Sequence, residues 1–109
     1  MTDIARTEAQ EIEQYRAERR AELVGDIRAT YESLACEPGA WVGLARLRAA
    51  LADVPRANLD AALLEMAREP AVMIIPEFNQ KTLTPADRAA ALRMGGENVH
   101  LLAVRLGRR

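Results

Sequence analysis

The chain has 109 residues, 16 acids against 15 Lys and Arg, a formal net charge of -1 and 50% hydrophobic residues, many of them Ala. That length fits one domain, able to bury about two thirds of its unfolded surface without metal or disulfide, and the near-neutral total argues against a dedicated nucleic-acid binder. One cysteine excludes an internal disulfide, no run is apolar enough for a membrane span, and the charge-dotted start MTDIARTEAQEIEQYR lacks a signal-peptide core, so a cytoplasmic protein is expected.

Charge is unevenly spread. Residues 1–35 carry eight acids and five Arg, whereas residues 70–109 carry five Arg, one Lys and three acids. A mildly basic face at the C-terminal end follows.

In chain order, residues 3–35 read as helix, rich in Glu, Ala, Arg and Gln and free of Pro. From Leu23 the apolar positions Leu23, Val24, Ile27, Tyr31 and Leu34 recur at helical spacing, which predicts a packed helix over about 20–35. Before it, Ile4, Ile12 and Tyr15 are sparse among charges. Residues 1–19 therefore read as a helical extension and a dimerisation arm, with Ile4, Ile12 and Tyr15 as dimer contacts. The heptad is poor, because Glu11 and Arg19 stand seven residues after Ile4 and Ile12.

Pro38 and Gly39 end the helix. A short extended piece, AWVG, follows, with Trp41 read as a core anchor and a partner surface as its alternative. Leu44, Leu47 and Leu51 then make one face of a short helix. After the junction Asp53-Val54-Pro55, PRANLDAALLEMARE predicts a second helix with Leu59, Leu63 and Met66 inward and Pro55 in its first turn. VMII at 72–75 and HLLAVRL at 100–106 predict two strands that pair.

Between those strands lies an insert, residues 77–96. Thr84 is a good N-cap, Pro85 suits the first helical position, and Asp87 completes a capping box. The expectation is a helix that runs through Ala89–Leu92, stops at Gly95-Gly96, and packs Leu92 or Met94 on the domain as a lid. Phe78 is expected to hook under it, with an exposed contact residue as the alternative.

The order helix, short strand, helix, turn, helix, strand, wing, strand resembles that of winged helix-turn-helix domains. AWVGLARLRAAL, PRANLDAALLEMA, VMIIP and HLLAV carry the resemblance. It implies an α+β fold: a winged helix-like domain over residues 20–109, with a long N-terminal helix, a small antiparallel β-hairpin and a helical insert in the wing. Such domains often bind double-stranded DNA with the second helix of the pair, as transcription regulators do. Others serve as dimerisation or protein-interaction modules, and both functions are implied here. On the DNA reading, Arg56 and Asn58 meet bases or phosphate, and Gln80, Lys81, Arg88 and Arg93 supply contacts near the wing. Asp60, Glu65 and Glu69 on the same helix oppose it. On the other reading the N-terminal helix and the insert meet a protein partner or a second copy.

No catalytic pattern stands out. His100 and Cys36 are single and distant in sequence, too few for a typical zinc site, and no phosphate loop follows a Gly-rich turn. His100 reads as a strand-edge or partly buried polar residue and Cys36 as a small packed one. Neither an enzyme nor a cofactor is expected.

Overall fold

The computed structural model describes residues 7–105. Ile4, Arg108 and Arg109 lie outside the described residues.

Helix α1, Glu8–Leu34, is capped by Thr7, whose hydroxyl accepts from the Gln10 N–H while the Gln10 side chain accepts from the Thr7 N–H. The T-x-x-Q spacing carries that box. With 27 residues the helix is about 40 Å long. Only its second half packs, through Ile27 and Tyr31, with Leu23, Val24 and Leu34 partly covered. The Tyr31 hydroxyl donates to the Ala40 carbonyl at 2.6 Å and pins the turn behind the helix.

Strand β1, Val42–Gly43, leads directly into helix α2, Leu44–Ala50, which is followed by helix α3, Arg56–Met66. Pro55 stands one position earlier than expected, at the N-cap of α3. Leu44, Leu47, Leu59, Ala62, Leu63 and Met66 are buried together with the α1 stripe. Strand β2, Val72–Ile75, falls on the expected run.

The insert departs from expectation after its cap. Helix α4, Pro85–Ala89, is only five residues long. Strands β3, Leu92–Met94, and β4, Glu97–Val99, then form a separate hairpin, with Leu92 opposite Val99. Gly95 and Gly96 have φ of 61° and 84°, the paired positive angles of a primed hairpin turn, so they turn a hairpin instead of stopping a helix. Burying the Leu92–Val99 cross-strand pair outweighs the helix propensity of the Ala run. Leu92 does pack on the domain, though from a strand.

Strand β5, Leu101–Val104, is central in a three-stranded antiparallel sheet of order β1-β5-β2. The expected pairing of the two apolar runs is present, with Val72 opposite Val104 and Ile75 opposite Leu101. The fold is thus mixed α+β, with a long N-terminal helix and small antiparallel sheets.

Three further expectations are corrected. Trp41 is 44% exposed, because the adjacent Val42 takes the core position. Phe78 is 84% exposed and hooks nothing, since the turn around it is organised by hydrogen bonds of Glu77 and Asn79. Cys36 is exposed, beyond the end of α1. His100 is a buried polar residue just before β5, where its Nδ1 accepts from the Glu77 N–H at 3.0 Å.

Candidate nucleic-acid interface

The first turn of α3 is where Arg56 and Asn58 would face a nucleic acid. Helix α4 sits beside it and ends with carbonyls that have no partner inside a helix so short. Two arginines supply the partners. Arg56 donates through Nη1 to the Ala89 carbonyl at 2.8 Å and through Nη2 to that of Ala91 at 2.9 Å. Arg48, from α2, donates through Nε to the Ala90 carbonyl at 2.8 Å. Three successive carbonyls at a helix C-terminus are thus met by two cations, which also suits the negative end of the helix.

Asp60 fixes both arginines. Its Oδ1 lies 2.7 Å from Nη2 of Arg48 and its Oδ2 lies 3.8 Å from Nε of Arg56. The Arg48 pair is mostly buried, so its attraction is poorly screened. Glu65 on α3 meets Arg20 at 3.6 Å, and Glu69, which lies beyond the end of α3 and not on that helix as expected, meets Arg28, both arginines on α1. Of the acids expected to repel phosphate, Glu65 and Glu69 thus meet the long helix through exposed ion pairs, and Asp60 meets Arg48 and Arg56.

The remaining positions scatter. Gln80 donates to the Glu77 carbonyl, Arg88 to the Gln80 carbonyl at 3.1 Å, and Arg93 reaches Asn98 Oδ1 at 3.4 Å. These bonds are exposed and breakable. Lys81 is exposed and makes no side-chain hydrogen bond among the described residues. Asn58 faces away from the insert. It lines a groove of about 710 Å³ between α1 and the α2–α3 turn, with Tyr15, Arg19, Leu23 and Val54.

Across the box at Thr84, the hydroxyl accepts from the Asp87 N–H and Asp87 accepts from the Thr84 N–H, each at 3.0 Å. The Thr84 backbone N–H, then its side chain, hold the Asp87 carboxyl below its ordinary range.

Apolar exposure lies elsewhere. Ile12 and Tyr15 are 50% and 62% exposed on the outer half of α1. On the sheet, extending the register by one residue puts Trp41 level with Ala103, whose other neighbour is the exposed Met73. Among the described residues no group of three or more His, Cys, Asp or Glu could hold a metal ion, and no helix is long and apolar enough to cross a membrane.

No residue pattern marks the roles of Arg48 and Asp60. Four residues separate Arg56 from Asp60, a helical ion-pair spacing, but the carbonyls they organise lie some thirty residues away. Searches of protein-family models, of curated proteins and of solved structures found no match to this chain.

Proposed function

We propose that the chain is a non-enzymatic protein-interaction module of winged helix-like build, in which the insert occupies the side of α3 that DNA-binding relatives of that build would present. The strand order β1-β5-β2 behind the α2–α3 pair supports the winged helix-like reading. The observation that carries the interaction reading is the engagement of the Arg56 guanidinium by the Ala89 and Ala91 carbonyls. Reading a base would require those two solvent-exposed bonds to break. Asn58, at the groove beside α1, gives no shared reading surface with Arg56. Exposed Ile12 and Tyr15 offer apolar contact instead.

Fluorescence-anisotropy titration of the full chain against pooled DNA duplexes at low salt tests this reading. The expected outcome is no saturable binding up to high micromolar protein. Binding that weakens steeply with salt, and that Arg56→Ala or Lys81→Ala reduces, would replace it with the DNA reading.

A further inference from the structure

The outer half of α1 is polar in a directional way. Glu8, Glu11 and Glu13 come first, and Arg16, Arg19 and Arg20 follow, with Glu18 among them. Ile12, among the acids, and Tyr15, just before the arginines, lie on one side of the helix, exposed to solvent. Glu8, Ile12, Tyr15 and Arg19 are spaced by four, three and four residues, which places all four on a single stripe. Further along, that stripe borders the groove beside Leu23 and Val54.

We infer that this stripe pairs with the same stripe of a second copy, the two helices running antiparallel about a two-fold axis level with the Glu13–Gln14 bond. The inference rests on the interaction reading and names its partner. Symmetry about that point sets Ile12 of each copy against Tyr15 of the other, and Glu8 against Arg19. Each contact occurs twice. The acidic half of one helix lies along the basic half of the other. A parallel pair would stack Glu8 on Glu8 and Arg19 on Arg19, which like-charge repulsion disfavours. The antiparallel choice therefore follows from the charge order, without a heptad seam.

Two local facts favour the contact. Among the described residues Arg19 is held only by Glu22, in an i,i+3 pair whose side chains are 63% and 66% exposed, so it exchanges partners at little cost. The same register brings the capped start of the second copy's helix over the groove lined by Arg19, Leu23, Val54 and Asn58. An acidic helix start carrying Glu8 and Glu11 meets Arg16 and Arg19 there, in a groove that Glu22, Asp26 and Asp53 also line.

Sedimentation velocity of the full chain over a concentration series tests the inference, with circular dichroism as the check on folding. The unaltered chain is expected to reach a dimer at high micromolar concentration. Arg19→Glu should weaken association by about tenfold or more, because it sets Glu8 against a second acid twice over. Adding Glu8→Arg to Arg19→Glu in the same chain should restore it, since only antiparallel pairing makes those two positions complementary between copies. A monomer at every concentration, or a double variant that associates no better than Arg19→Glu alone, overturns the inference. Neither result touches the interaction reading, which stands or falls on the duplex titration.

Discussion

The insert and the outer half of α1 are both appended to the same core, and they are held in opposite ways. The insert engages the domain at every level: Leu92 in the core opposite Val99, three carbonyls on Arg48 and Arg56, and Asp60 behind those arginines. The outer half of α1 contributes no buried side chain between Glu8 and Arg20. Its order is mostly local, from the Thr7–Gln10 box and from exposed pairs such as Gln14–Glu18 and Arg19–Glu22, with the exposed Arg20–Glu65 pair linking its inner end to α3. A chain segment fixed by burial and buried charge belongs to the fold. One fixed mostly by its own hydrogen bonds keeps its side chains available to something else.

The largest expected effect comes from attacking the insert at its buried anchor. Leu92 is 2% exposed and faces Val99 across the hairpin. Leu92→Ala removes that packing and should lower stability by about 2–5 kcal/mol. Urea unfolding followed by circular dichroism measures it. A loss below about 0.5 kcal/mol would mean that the hairpin rests on the domain without sharing its core, and the contrast with α1 would fail.

A smaller effect is expected at the cap of α4, which is exposed and local. Thr84→Ala should cost about 0.5–2 kcal/mol. Its pH dependence has a definite sign. The folded Asp87 carboxyl titrates below its ordinary value of 3.8, so its contribution is present above that value and is lost as pH falls through the folded one. The difference between the unaltered chain and Thr84→Ala should therefore shrink in strongly acidic solution. A difference that stays constant from neutral pH down would show that the box is not what the substitution removes.

That cap also marks how far the sequence could be read. Thr84, Pro85 and Asp87 lie within four residues, and their chemistry is local, so the start of α4 was legible. The same holds for the Ile27–Tyr31 stripe and for Val72–Ile75, where apolar spacing alone indicates burial. The end of α4 was not legible. Ala89–Leu92 has helix propensity, and only the distant domain surface that takes up Leu92 and Val99 decides for a hairpin. Trp41 misled for a related reason. In a two-residue strand either neighbour can face inward, and pairing of Val42 with Leu102 decides which. At the candidate interface, Arg56 and Asn58 were placed correctly at the start of α3. What Arg56 holds depends on backbone carbonyls, which carry no residue signature.

The smallest expected effect on stability tests the other side of the comparison. Ile12 and Tyr15 stand outside the core cluster, 50% and 62% exposed. Ile12→Ala and Tyr15→Ala also place the best helix former at two surface positions, which offsets any lost local contact. At low micromolar concentration, where chains are separate, the double variant should unfold within about 0.5 kcal/mol of the unaltered chain, a shift of no more than about 4 °C in Tm. Raising the concentration should then stabilise the unaltered chain and leave the double variant where it was, because association favours only the form that can pair. A marked loss already at low concentration would instead make the outer half of α1 part of the fold of a single chain. Its apolar side chains would then need no second copy to account for them.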